Sequence, residues 1–295
     1  MAKKVSSFDT RQNMILHSFE IYRYRDSYLN EVALHHHDFY EIYLFLSGDV
    51  SYTIESRNYS LMPGDLLIIS PQELHRPIIT PAKAPYERIV LWVNATFLNQ
   101  FSTAQTDLAQ CFDTTRENHS NLLRPSSNAR VHITQLMDAM IEESANEKYG
   151  GDILAVSTLL QLLVYVNRIA VRTGAEHHET TDKSAPIVTD VLNYINEHYS
   201  EDLSLDELAA RFFISKYHLS HEFNRLVGTS VYRYIMQKRL IIAKQLLSDG
   251  VSPTGVYIRC GFGDYANFYR AFKTEYSISP KEYLARLENE ILLGK

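Results

Sequence analysis

The chain has 295 residues, 45% of them hydrophobic and 22% charged, which gives room for two domains and excludes a disordered or fibrous polypeptide. Its net charge of −6 excludes a uniformly basic nucleic-acid binder, although the segment after Pro186 is roughly neutral and the negative excess lies upstream. Cys111 and Cys260 are too few for a disulfide framework, the first nine residues lack the apolar core of a signal peptide, and the apolar run Leu159 to Val166 is short and followed by Asn167-Arg168, so a cytoplasmic protein with no membrane partner is expected.

Among the first thirty residues Phe19, Ile21, Tyr22 and Tyr24 suggest an opening strand or the flank of the next domain. From Val32 to about Val93 the pattern is all-β. Ile42 to Leu46 is a buried run, Gly48-Asp49 marks a turn, and Val50, Tyr52 and Ile54 alternate at period two. Pro63-Gly64-Asp65 is a second turn before Leu66 to Ile69, and Glu87 to Val93 reads as a further strand. Short strands between regular turns predict a small barrel or jelly roll.

Inside this region His35, His37, Glu41 and Gly48 have the spacing H-x-H-x3-E-x6-G, and Pro63-Gly64-Asp65, Pro71 and His75 follow. These residues resemble the two motifs of the cupin fold. The resemblance implies that His35, His37, Glu41 and His75 converge inside the barrel, where metal-binding cupins hold a divalent ion. The second motif departs from the pattern, with Glu73-Leu74 before the histidine and no Asn after it. Two other readings stand beside the metal: the four residues line an effector pocket as hydrogen-bonding groups, with no cofactor required, or the histidines fill polar corners. As strand neighbours, His35 and His37 share a face that His36 does not. Tyr43, Tyr52, Tyr86 and Trp92 are candidate aromatics at the barrel mouth, suited to a sugar ring or simply to packing. The predicted effector set is His35, His37, Glu41, Tyr43, His75 and Trp92.

Asn94 to Arg124 is less regular and reads as short helices on the barrel. Two helices follow. Val131 to Glu147 carries Ile133, Leu136, Met137, Met140 and Ile141 on one stripe, and Ile153 to Val171 carries Leu154, Leu159, Leu162, Leu163, Val166 and Ile169. Thr173 to Pro186 is polar and aperiodic, as a linker is. Ile187 to Tyr199 then opens a second domain as a helix.

The stretch Asp202 to Tyr283 reads as two helix-turn-helix units joined by one long helix. Ser204 and Glu207 form a capping box ahead of Leu205, Leu208 and Ala209. Ser215 caps a helix Lys216 to Leu226 that stops at Gly228. Leu219 and Phe223 share one face of it, opposite Tyr217, His221 and Asn224, with Ser220 at the edge. About 49 residues later the pattern repeats. Ser252-Pro253 starts a helix with Val256 and Ile258 as apolar contacts, Gly261-Phe262-Gly263 turns, and Asp264 takes the capping place. Phe268 and Phe272 match Leu219 and Phe223, leaving Ala266, Tyr269, Arg270 and Lys273 outward. Val231 to Ser248 between them would be about 27 Å long, and successive major grooves on one face of DNA lie about 34 Å apart. The bland alternative is an all-α domain with a merely solvated surface.

The run Leu208-Ala209, Ser215, Leu219, Phe223, Gly228, Tyr234, Arg239, Ala243, Leu246-Leu247, Gly261-Phe262, Phe268, Arg270, Phe272-Lys273, Pro280 and Tyr283 resembles the DNA-binding domain of AraC/XylS-type transcriptional regulators. Pro253, Gly255 and Tyr257 depart from that pattern, all in the supporting helix of the second unit, which is expected to be tilted or weakened. The resemblance implies an α+β multidomain protein. Its parts are a cupin-like β-barrel (jelly roll) sensor at 1–125, a helical dimerisation segment at 126–173, a linker at 174–186 and an all-α tandem helix-turn-helix domain at 187–295. Residues expected to meet DNA are Lys216, Tyr217, Ser220, His221, Asn224, Arg225, Tyr265, Asn267, Tyr269, Arg270 and Lys273. Implied partners are double-stranded operator DNA, a small sugar-like effector, a second copy of the chain and RNA polymerase. The implied output is activation of a carbohydrate-use operon, without catalysis. The rival reading is a metal-dependent cupin enzyme fused to a DNA-binding module.

Overall fold

Alternation at period two organises the first part of the chain. The computed structural model describes residues 13–16, 18–27, 32–71, 73–80, 84–145, 148–173 and 186–292, and the chain divides between Asp182 and Lys183 into two units. Most of the predicted linker, 174–185, lies outside the described residues. In the first unit β1 (Phe19–Asp26), β2 (Tyr40–Ser47), β5 (Leu66–Ile69), β7 (Tyr86–Val93) and β8 (Leu122–Leu123) form a five-stranded sheet in the order β1-β7-β2-β5-β8. β3 (Val50–Ile54), β4 (Arg57–Ser60) and β6 (His75–Ile79) form a second sheet in the order β4-β3-β6. The expected small barrel or jelly roll takes the form of two sheets rather than a closed barrel. A backbone bridge between His35 and His75 adjoins the smaller one.

The larger sheet is buried on both faces. From β2, Ile42 and Leu44 join Leu66, Ile68, Ile89, Leu91 and Val93 on one side, while Tyr43 and Phe45 join Leu67, Ile69, Val90, Trp92 and the small sheet's Tyr52 and Ile54 on the other. The first side is covered by α1 (Ala95–Phe101), a 3-10 turn at Gln110–Phe112, and the long helices α2 (Ser127–Ala145) and α3 (Gly151–Thr173). Asn167 of α3 ties that turn down, accepting from the Cys111 N–H and donating to the Leu108 carbonyl.

The apolar stripes of α2 and α3 are used on this sheet: Ile133, Met137 and Met140 with Ala155, Leu159, Leu162, Leu163 and Val166. Leu154, predicted inward, is 53% exposed, because it lies one helical step off the stripe, beside exposed Ile153. Gly151–Arg172 also corrects the expectation that no segment could span a bilayer. The segment has 22 residues, and an 18-residue window within it has a mean hydropathy of 1.7, so it is long and apolar enough by length and composition. Apolar residues continue round to its outer face, while its buried stripe does the work of an ordinary core helix.

In the second unit the caps appear where the sequence puts them. α4 (Pro186–His198) is followed by α5 (Leu205–Arg211), whose Ser204–Glu207 capping box is complete. α6 (Lys216–Val227) is capped by Ser215 and ends at Gly228, which is left-handed with φ 78°. α7 (Val231–Ser248) buries Tyr234, Ile235, Leu240, Ile241, Ala243 and Leu247. α8 (Pro253–Arg259) begins with Ser252 as cap and Pro253 in its first turn. α9 (Tyr265–Tyr276) is capped by Asp264, and α10 (Pro280–Leu292) closes the unit. Arg239 of α7 donates to the carbonyls of Tyr199 and Glu201, just beyond α4.

The departures in α8 are accommodated. The Gly255 N–H takes the Ser252 cap, and Tyr257 packs into the α7–α9 core with its ring edge-on to Tyr265. Ile258, an apolar contact by its spacing, is 65% exposed; Val256 alone faces the core from that pair. Gly261 must be glycine. Its φ is +73°, and a Cβ there would lie 2.4 Å from the Ser200 carbonyl oxygen. Gly261→Ala is therefore expected to destabilise the second unit by more than about 1 kcal/mol, read as an earlier loss of helical circular dichroism in urea. An unshifted transition would mean that this turn relaxes freely.

Candidate functional site

Two outward helix faces and one interior cluster concentrate the polar chemistry. On α6, Leu219 and Phe223 are fully buried, and the opposite face exposes Tyr217, Ser220, His221, Asn224 and Arg225, which line one open groove. The Tyr217 and His221 rings lie parallel, with centroids 6.2 Å apart. Arg225 donates to Glu222 at 2.7 Å, and Lys216 pairs with Asp206. The first pair runs along α6 and the second joins α6 to Asp206 of α5; surface pairs of this kind are weak.

On α9, Phe268 and Phe272 are fully buried. Tyr265, Asn267, Arg270 and Lys273 are exposed and Tyr269 is half-buried. A relay not visible in the sequence orders this face. Asp264 Oδ1 caps the Asn267 N–H at 2.7 Å, its Oδ2 accepts from Asn267 Nδ2 at 2.6 Å, and Asn267 Oδ1 accepts from Arg270. The residue that ends the turn thus also positions, through Asn267, the guanidinium nearly two helical turns further on. Helices with such faces can present donors and acceptors to base edges and cations to phosphates. Lys273→Gln is expected to lower the salt slope of DNA binding by about 1 without changing sequence preference. An unchanged slope would remove Lys273 from the phosphate contacts.

The interior cluster lies between the sheets of the first unit. Glu41 of β2 sits directly across from Trp92 of β7, and Trp92 Nε1 donates to Glu41 Oε2 at 2.9 Å. His35 and His37 precede β2, and His75 opens β6; all three rings are buried, whereas His36 is only partly so. Each Nδ1 lies against a backbone carbonyl: His35 on Ala33 at 3.0 Å, His37 on Phe39 at 2.8 Å, His75 on Glu73 at 2.8 Å. A carbonyl only accepts, so each Nδ1 carries a proton and donates it. Phe39 stacks on His37 at 4.0 Å, and the His37 and His75 rings are 4.8 Å apart. Burial, then the neighbouring His37, push His35 down to about 4. Burial, then His35 and His37, hold His75 well below the ordinary histidine value.

The predicted four-residue set is divided by the structure. Ligand atoms of His37, Glu41 and His75 all lie within 4.8 Å of one another. His35 adjoins that group, its ring 4.3 Å from that of His75. The predicted aromatics are buried rather than at a mouth. Tyr43 and Tyr86 share a hydrogen bond at 2.6 Å, and Tyr52 lies parallel to His75. Burial raises the hydroxyls of Tyr43 and Tyr52 well above their ordinary value and that of Tyr86 to about 12, so all three stay protonated.

Comparison with known proteins gives two matches along the chain. Residues 18–163 match an AraC-like ligand binding domain, and residues 208–286 match a helix-turn-helix domain. The HTH-type transcriptional activator RhaS of Enterobacter sp. (strain 638) is 27% identical over 255 residues, covering 84% of this chain and 86% of that protein. The arabinose operon regulatory protein of Salmonella typhimurium is 27% identical over 252 residues, covering 84% of each. The solved structure of unsaturated fatty acid bound wild-type ToxT from Vibrio cholerae is similar over 93% of this chain and 96% of that one, at 14% identity and a TM-score of 0.39.

Proposed function

The chain belongs to the AraC family of DNA-binding transcriptional regulators with a ligand-binding domain, and from that premise we propose that it activates a carbohydrate-use operon in response to a sugar-like effector. Residues 1–125 take the effector, 126–173 pair two protomers, and 187–295 read operator DNA in the cytoplasm and present the bound complex to RNA polymerase. The observation that carries the DNA reading is the pair of capped helices whose buried Leu219–Phe223 and Phe268–Phe272 pairs turn His221 and Arg270 outward. A sugar-like effector is supported by buried hydroxyls and imidazoles beside aromatic rings, which match hydroxyl groups and an apolar ring face. The name of the arabinose operon relative points the same way, and that of the RhaS relative supports activation. Pairing of protomers is supported by Ile153, Leu154, Tyr165 and Val171, apolar and exposed along α3. These relatives are regulators, and no turnover is assigned to the interior cluster.

The test is to select DNA from a random pool with the full-length chain, then titrate the selected duplex with and without a panel of mono- and disaccharides. The proposal expects a recurring motif and an affinity that one sugar changes. Selection that yields no motif would defeat the DNA reading. A motif whose affinity no sugar alters would defeat the effector reading alone.

A further inference from the structure

From the interior geometry we infer that His37, Glu41 and His75 form a three-ligand site for a divalent first-row transition-metal ion, with His35 outside the ligand set. The inference rests on side-chain geometry and not on which effector the domain takes. Because Nδ1 of His37 and of His75 donates to a carbonyl, Nε2 is the nitrogen of each ring left to offer a lone pair. Among the described residues no hydrogen-bond partner reaches either of these buried nitrogens. His37 Nε2 lies 3.2 Å from Glu41 Oε2, so two lone pairs face each other at contact distance. That arrangement is repulsive unless a cation lies between them. A proton on His37 would settle that pair but leave His75 Nε2 buried and unsatisfied. One divalent ion satisfies all three atoms.

The surroundings fit the same chemistry. Metal-bound imidazoles commonly donate their other N–H to a carbonyl, and ligating carboxylates are themselves hydrogen-bonded. Here the carbonyls of Phe39 and Glu73 take the two N–H groups, and Trp92 donates to the Glu41 oxygen nearest His37. Two ligand atoms on one ion with bonds of about 2.0–2.2 Å can be at most about 4.4 Å apart. The bound of 4.8 Å on the observed separations exceeds that in-line limit by about 0.4 Å and a tetrahedral pair's roughly 3.4 Å by more, so the side chains would draw together on binding. Two imidazoles and a carboxylate suit iron, cobalt, nickel or zinc and leave coordination positions open. The ion would join Glu41 of the larger sheet to His75 of the smaller one, holding the two sheets together.

The chain carries its own reporter, since Trp92 is its one tryptophan and touches a proposed ligand. Full-length protein stripped with a chelator would be titrated with Co²⁺, following Trp92 emission and, by calorimetry, stoichiometry. One ion per chain is expected, with Trp92 quenched and emission restored by excess Zn²⁺. His37→Gln and His75→Gln should each weaken binding roughly 100-fold or more, given that even outer-shell changes cost 10–100-fold. His35→Gln should change it less than about threefold. Glu41→Gln keeps the side-chain shape and should also lose binding, which covers the case in which a histidine variant fails to fold. Absence of binding, binding that leaves Trp92 unquenched or survives His37→Gln, or a His35→Gln loss equal to that of His75→Gln would each overturn the assignment.

Discussion

Phe268→Ala is expected to destabilise the second helix-turn-helix unit by about 3–5 kcal/mol, the cost of emptying a fully packed aromatic site. Phe268 is fully buried, with its ring against Phe262, Tyr265 and Phe272. Those neighbours come from the turn and from α9 itself, so the space cannot be filled without displacing the helix that carries Arg270. Against a total stability of about 5–15 kcal/mol for a domain, the loss should unfold much of this unit at moderate urea. Two signals separate this from general damage. Helical circular dichroism should be lost early, while the Trp92 emission transition, which reports the first unit, should stay in place. Coincident movement of both would mean that the two units unfold as one.

Arg270→Ala is expected to cost about 1–3 kcal/mol of discrimination between operator and random DNA, the worth of a bidentate arginine–guanine contact. The structure strengthens that expectation, because the Asp264–Asn267–Arg270 relay holds the guanidinium before DNA arrives. Asp264→Ala should reproduce part of the loss by releasing the relay, together with about 1 kcal/mol of helix stability from the missing cap. Competition binding with operator and scrambled duplexes distinguishes the roles. Equal weakening on both would make Arg270 a phosphate contact. His221→Ala should instead relax preference in a separate part of the operator.

The helices of the DNA-binding unit were legible because each carries its own stop and start. Ser215, Gly228, Ser252, Asp264 and Gly261 are local signals, and α7 runs from Val231 to Ser248 as the sequence predicts. Two strands of the smaller sheet were not legible. β4 is Arg-Asn-Tyr-Ser with a single buried aromatic, and it follows a turn in which Glu55 takes φ +52° without the usual glycine. Glu55 is held there by Leu74, whose carbonyl accepts from the Glu55 N–H and whose N–H donates to the Glu55 side chain. That contact spans 19 residues and leaves no local trace. β6 contains Pro77, which reads against a strand but is tolerated because β6 is an edge of its sheet.

At the interior cluster, spacing indicated that the histidines and Glu41 would approach one another, and did not separate ligand from neighbour. That separation depends on where each Nδ1 proton goes, which is fixed by carbonyls of Ala33, Phe39 and Glu73. On α3 the helix is apolar well beyond its one buried stripe, so periodicity does not distinguish exposed Leu154 from the residues that pack.

The proposed DNA reading requires that α6 and α9, with α7 between them along the chain, enter successive major grooves. Methylation interference on the selected operator, with the full-length chain, measures this most directly. For each protomer, two clusters of interfering guanines are expected, centred about one helical turn, 10–10.5 base pairs, apart. Arg270→Ala should abolish interference in one cluster and leave the other intact. A single cluster per protomer, or two that both survive Arg270→Ala, would contradict it.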